Sequence, residues 1–199
     1  MLRKLLLIIS TAISAFALHT AEININDKDL ELAAKFDMGQ FNDGIEPGTI
    51  FFGGKILNGQ QENRKVENGG SLTDFNPYFE VNFLMKRVIG NMGLSVGMGV
   101  KLNYTKDFSS LPLGLEFDYT ILTKELVPMF VNGSVYYAPG SLSFHDAKDF
   151  LEYRMSFDIE MIENGRVTIG YRNINTNYKT AIGNVVYNDS FYAGFKFAF

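Results

Sequence analysis

The sequence predicts an all-β fold, a transmembrane antiparallel up-and-down β-barrel, and three observations predict it. The first is the end of the chain. Phe191, Ala193, Phe195, Phe197 and Phe199 alternate with Tyr192, Gly194, Lys196 and Ala198, and the chain stops there. Period 2 is strand spacing, with one apolar and one polar or small face. A soluble domain rarely leaves that much aromatic surface uncovered. In a membrane barrel, the last strand pairs with the first and lipid covers the apolar face. The second observation is that the same alternation recurs between turn signals along the whole chain. The third is the composition of the opposite face, which combines glycine with charges of both signs.

The elements follow in order. Met1-Leu2-Arg3-Lys4 is a basic start, Leu5 to Ile13 is an apolar run, and Ala15-Phe16-Ala17 is a small-x-small site. This is the pattern of a secretory signal peptide over residues 1–17, with cleavage after Ala17 or as late as Ala21. The apolar run is shorter than the roughly 20 residues of a spanning helix. Loss of Arg3 and Lys4 takes the net charge from −4 to about −6. The barrel is then expected over residues 22–199. Cysteine is absent, so packing or a membrane must stabilise the exported chain. A mildly acidic balance without a basic cluster argues against nucleic acid.

Ile23 and Ile25 suggest a short strand, turned by Asp27-Lys28-Asp29. Leu30, Leu32, Ala34, Phe36 and Met38 have strand spacing, although Glu31 to Lys35 are also good helix formers. Further strands are expected near 48–57, 76–86, 92–104, 113–121, 127–137, 151–161 and 167–171, before the terminal strand. Pro77, Pro112 and Pro128 sit at or near strand starts, where a missing N–H costs least. Connections near Arg87–Gly90, Leu122–Glu125 and Glu163–Gly165 are short. Those at Asn58–Asp74, Ala138–Asp149 and Ile174–Asp189 are long and polar, and Tyr104–Leu111 is intermediate. Short periplasmic turns and longer outer loops produce this alternation and place Phe199 in the periplasm. An even strand count makes ten the expected number. Eight is the alternative, if the region before Phe41 is helix or plug.

The polar face decides which side meets lipid. On the 92–104 strand it reads Asn91, Gly93, Ser95, Gly97, Gly99, Lys101, Asn103, and Gly53, Gly114, Gly170 and Gly194 share that face elsewhere. Glycine is poor on a solvated strand but suits a narrow lumen. The lumen charges are expected to be Lys55, Glu80, Lys101, Glu116, Asp118, Glu152, Arg154, Asp158, Glu160, Arg166, Arg172 and Lys196. They form either a charged channel or a self-paired plug; small barrels have interiors just wide enough for side chains. Arg154, Arg166 and Arg172 form a basic ladder or pair with acids such as Glu116 and Glu152. Val96 is expected on the lipid face near mid-membrane, with Ser95 inward. Phe75 with Tyr78, Tyr136 with Tyr137, Phe150 with Tyr153, and Phe191 with Tyr192 fit interfacial aromatic girdles.

Catalytic chemistry is thin. His145, joined by His19 if cleavage follows Ala17, cannot build a clustered metal site, so no metal and no cofactor is expected. Ser141 to Asp146 contains triad residue types, but neighbours in one loop seldom converge. The expected function is a small porin-like or structural barrel, not an enzyme. The rivals are an outer-membrane lipid hydrolase using His145 and a soluble periplasmic barrel that binds an apolar ligand.

Tyr136-Tyr137-Ala138-Pro139 with Ser141-Leu142-Ser143 and Asp146, then Tyr153-Arg154, Gly170-Tyr171-Arg172 and the Tyr192 to Phe199 ending, resemble the YfaZ family of Gram-negative outer-membrane proteins. The resemblance covers about residues 131–199. It implies an exported barrel in the cell outer membrane, and no substrate or cofactor. The terminal pattern of Phe191, Phe195, Phe197 and Phe199 also resembles the signal read by the barrel-assembly machinery. That machinery and outer-membrane lipid are the expected partners.

Overall fold

The computed structural model describes residues 19–59, 65–67, 77–121, 127–180 and 182–199. The expected signal peptide, the turn at 122–125, Phe75 and most of the 58–74 loop lie outside the described residues.

Ten long strands make one closed antiparallel barrel. They are β1 (Thr20–Ile25), β2 (Asp29–Asp37), β3 (Ile50–Gly59), β4 (Tyr78–Ile89), β5 (Leu94–Tyr104), β6 (Leu113–Ile121), β7 (Met129–Ala138), β8 (Ala147–Ile162), β9 (Gly165–Tyr178) and β10 (Asn184–Ala198). Each pairs with its neighbours in sequence, and β1 pairs with β10 to close the ring, from Thr20↔Ala198 to Ile25↔Ala193. Closure leaves no sheet edge, which a lipid environment demands. Three short segments decorate one end: Lys65–Val66 on β10, and Phe108–Ser110 paired with Ser143–His145. That end carries the β3–β4, β5–β6, β7–β8 and β9–β10 connections and is called the loop end here. The other holds both chain ends and is called the termini end.

The alternation reads out as expected, with the apolar side outward. Leu32 on β2 pairs with Ile23 on β1 and Ile56 on β3, and all three are exposed. Residues 31–35 are strand, not helix, because the ladder with β1 and β3 and the outward apolar row outweigh local helix propensity. This settles the count at ten. Pro77, Pro112 and Pro128 each directly precede a strand, and the carbonyls of Pro112 and Pro128 still accept from Lys101 and Glu160 at 2.9 and 3.0 Å.

Four details differ from the sequence reading. The strand expected over 92–104 begins at Leu94, because Gly90 and Gly93 adopt positive φ in the preceding turn. Asn91 and Gly93 are therefore turn residues, not lumen positions. The segments read as long loops at 138–149 and 174–189 are mostly strand, since β8, β9 and β10 extend beyond the apolar band. The Asn-rich stretch there and a bulge between Ile174 and Asn175 hide the alternation. The length alternation fails in the first quarter. Asn26–Lys28 is a tight turn at the loop side, held by Asn26 accepting from the N–H groups of Lys28 and Asp29. The 38–49 connection at the termini end is the long one, and Asp37 staples it by accepting from Gly39 and Gly48 at 3.0 and 2.8 Å. Finally, Val96 does not stand mid-wall. It faces outward beside Arg87, whose charge marks the edge of the apolar band. Met98, flanked by Met85 and Leu115, stands further in.

The girdle pairs are half right for the same geometric reason. Adjacent residues point to opposite faces. Tyr137, Tyr153 and Phe191 are outward and exposed, while Tyr136, Phe150 and Tyr192 point inward and are buried, as is Tyr78. The inward glycines make room for these rings. A Cβ on Gly114 would stand 2.5 Å from the Tyr136 ring, and one on Gly170 would collide with the Tyr192 hydroxyl.

Candidate functional site

The lumen is the candidate site, and it is layered. Along β3, β4, β8 and β9, two-residue steps toward the loop end carry an inward charge and then an inward apolar group: Lys55 to Leu57, Glu80 to Tyr78, Glu152 to Phe150, Arg172 to Ile174. Leu57, Tyr78, Phe150, Ile174, Tyr178, Val185 and Tyr187 are buried together at the loop end, with Ala138 and Ala147. Phe108 joins them from the β5–β6 connection and packs on Phe150 and Tyr187 at 5.7 and 5.3 Å. Thr105 folds that connection inward, accepting from Asp107 and Phe108 and donating to the Phe108 carbonyl. The Tyr178 and Tyr187 hydroxyls hydrogen-bond to each other inside the layer. These side chains come from nearly every side of the barrel, so together they close the loop end with apolar material.

Below that layer lies a buried ionic square. Lys55 Nζ contacts Glu80 and Glu152 at 2.7 and 2.8 Å, and Lys101 Nζ contacts the same two carboxylates at 3.3 and 3.0 Å. All four side chains are 5% exposed or less. Lys55, Glu80 and Lys101 come from β3, β4 and β5, and Glu152 reaches them from β8 on the other side of the lumen. Lys101 also stands 4.0 Å above the Tyr136 ring, a cation–π contact of about 2 kcal/mol when desolvated.

A second cluster sits beside it. Glu31 receives Arg154 and Arg172, the latter at 2.5 Å, and Asn24 at 2.8 Å. Arg172 also reaches Asp29 at 3.7 Å and donates to Asn188 at 2.9 Å. Toward the termini end the pairs become half-buried: Lys35–Glu116 at 3.1 Å, Lys196–Asp158 at 2.8 Å, Arg166–Glu160 at 3.5 Å, and Lys86–Asp118.

All twelve charges expected in the lumen from sequence lie on the inward face of their strands. Their partners differ in part. The arginines pair with Glu31, Glu22, Asp29 and Glu160, not with Glu116 and Glu152 as expected. Glu116 instead takes Lys35 and the Tyr136 hydroxyl, the latter at 2.7 Å. The expected set lacks Glu22, Asp29, Glu31 and Lys35, which lie on β1 and β2, where strand and helix signals compete, and Lys86, which lies near the end of β4. For the first four, positions opposite Ile23, Leu30 and Leu32 are the signal that finds them.

A cavity of about 310 Å³ runs from the ionic square to the termini end, where Thr20, Asn164 and Ala198 line it. Its middle is polar, with Lys35, Asn82, Glu116, Asn132, Ser134 and Ser156. Toward the loop end its lining stops at the ionic square, and among the described residues the apolar layer stands beyond it. The interior is thus ionic and the exterior apolar, the reverse of a soluble barrel that holds an apolar ligand.

His145 gains a partner that the sequence reading did not foresee. Ser109 Oγ lies 3.3 Å from His145 Nδ1, brought there by the Phe108–Ser110 and Ser143–His145 pairing. His145 is exposed and Ser109 half-buried, and among the described residues no carboxylate meets the ring's other nitrogen. A nucleophile–base pair works when a third group orients the base, and this pair is an ordinary cross-strand contact. Among the described residues, no group of three His, Cys, Asp or Glu side chains is placed to hold a metal.

A family model described as YfaZ precursor matches residues 79–199, from β4 through the terminal strand. The chain belongs to the YfaZ family. The match takes in seven of the ten barrel strands and every element that builds the ionic square except Lys55. A solved structure entitled KdgM porin is similar over 91% of this chain and 98% of that one, with 8% sequence identity and a TM-score of 0.44. No curated protein matches. The sequence resemblance over the last third therefore extends, as a family match, almost to the start of β4.

Proposed function

We propose that this YfaZ-family barrel is an integral protein of the cell outer membrane that does not conduct solutes, and that its polar cavity opens to the periplasm. The apolar layer at the loop end carries the reading. Leu57, Tyr78, Phe108, Phe150, Ile174 and Tyr187 stand where a pore would need water. The ionic square behind them is a second obstruction, because its charges satisfy one another and hold β8 against β3–β5. The outward rows of Ile, Leu, Val, Phe and Met, rimmed by Tyr137, Tyr153 and Tyr171, suit lipid contact. The role is structural and non-enzymatic.

Purified protein in planar bilayers should show no steady channel. Replacing charges alone, for instance Glu116, Glu152 and Arg154 by serine, should leave the barrel closed. Opening it should require breaking the apolar layer as well, as in a variant that adds Phe108→Ser and Phe150→Ser. A large, steady conductance of the unmodified protein would overturn this account and favour a porin.

The C-terminal strand supports a second part of the proposal, that the barrel-assembly machinery reads Phe191, Phe195, Phe197 and Phe199. Phe199 is half exposed, so burial of its ring adds little to stability. Deleting it, or changing it to Asp, should nevertheless cut the amount of folded barrel in membranes severely, while the same variant refolds from denaturant into micelles with a much smaller deficit. Equal losses in both assays would mean that Phe199 acts through packing alone.

A further inference from the structure

We propose that the exported chain is cut after Ala17, and that His19, which this cut retains, fastens the closing seam of the barrel at the termini end. The proposal rests on reading residues 1–17 as an export signal. The sequence leaves two cleavage positions open, and the closing seam separates them. Every residue of β1 faces a residue of β10, and the first two rungs are Thr20↔Ala198 and Ala21↔Phe197. Cleavage after Ala21 would remove both.

It would also remove His19, which extends the seam. The His19 N–H donates to the Phe199 carbonyl at 3.2 Å, and the Phe199 N–H donates to the His19 carbonyl at 2.9 Å. That is a complete antiparallel rung on the last residue of the chain. The His19 ring adds a side-chain clasp. Its Nδ1 accepts from the Asp37 N–H at 3.0 Å, and the ring stacks on Phe41 with centroids 5.2 Å apart and planes 12° from parallel. Phe36 and Phe199 pack on it at 5.6 and 5.8 Å. One imidazole thus joins the first strand, the β2–β3 connection and the terminal phenylalanine. Without it, the ends of β10 and β2 would lose backbone partners beside the apolar band, where unpaired N–H and C=O groups are expensive.

Cleavage after Ala17 keeps every one of these contacts.

Intact mass and amino-terminal sequencing of protein purified from the outer membrane of an expressing Gram-negative host test the position. A chain beginning at Leu18 is expected. A chain beginning at Glu22 would overturn the cleavage position and leave the export signal standing. A chain beginning at Met1 would overturn the export signal itself. The clasp has its own test: the leader fused directly to Glu22, and separately His19→Ala. Both should unfold, by loss of heat-modifiable gel migration, at lower temperature than the full chain, with the deletion losing more. If both keep the full chain's unfolding temperature, the closing role of His19 is wrong.

Discussion

Glu152→Leu is expected to lose about 3–5 kcal/mol of stability, the scale for removing one partner of a buried ion pair. The cause is what it leaves behind. Lys55 and Lys101 would both face Glu80, two ammonium groups on one carboxylate in a buried site. Urea titration of the refolded barrel in micelles measures the loss. A quadruple variant separates pairing from packing. Lys55→Met, Glu80→Leu, Lys101→Met and Glu152→Leu together remove every charge of the square and keep much of its volume. Such replacements are often neutral or stabilising, so this chain should recover most of what the single change loses. If the quadruple variant is as unstable as Glu152→Leu, the square contributes more than its own satisfaction. Glu152→Leu retaining full stability would mean that the lumen is wetter than its burial indicates.

Met98→Arg should be the most damaging single change on the outer wall, at roughly 2–4 kcal/mol for a guanidinium near the membrane midplane. Met98 is 67% exposed and stands in a row with Met85 and Leu115. No inward route is open to an arginine there, because adjacent strand positions, not this one, face the lumen. Met98→Leu is the control and should be nearly silent. Val96→Arg should cost less, since Val96 neighbours Arg87 at the edge of the band, where a long cation can reach the headgroups. Ser95→Thr, inward beside Asp118, should be mild. Folding yield into vesicles, followed by gel mobility, ranks the four. Equal tolerance of Met98→Arg and Val96→Arg would show that the wall is not in lipid at this level.

The architecture was legible because its signal is periodic. The alternation in residues 191–199 and 94–104 identifies the outer face whichever residues lie across the lumen, and the glycines of the inner face follow from its narrowness. Positive φ at Gly90 and Gly93 moved one strand start, and an Asn-rich extension with a bulge hid three strand ends. Both are places where the chain leaves the outward apolar band, so the alternation that marks the band stops. The N-terminal quarter was ambiguous for a different reason. Ala33, Ala34 and Lys35 favour a helix locally, and only the ladder to β1 and β3 decides against it.

By itself, the sequence determined that this is an all-β barrel with apolar residues outward and charges of both signs inward. Alternation is a property of consecutive residues, so one chain suffices to read it. It could not determine who meets whom across the lumen. Glu152 and Lys55 are 97 positions apart, and Phe108 reaches Tyr187 from a short connection. Tertiary structure alone decided that the charges form a closed square and that, among the described residues, an apolar layer stands between that square and the loop end. The physical reason is shear. The tilt and stagger of ten strands set which inward residues share a level, and that stagger is fixed only when β1 closes on β10.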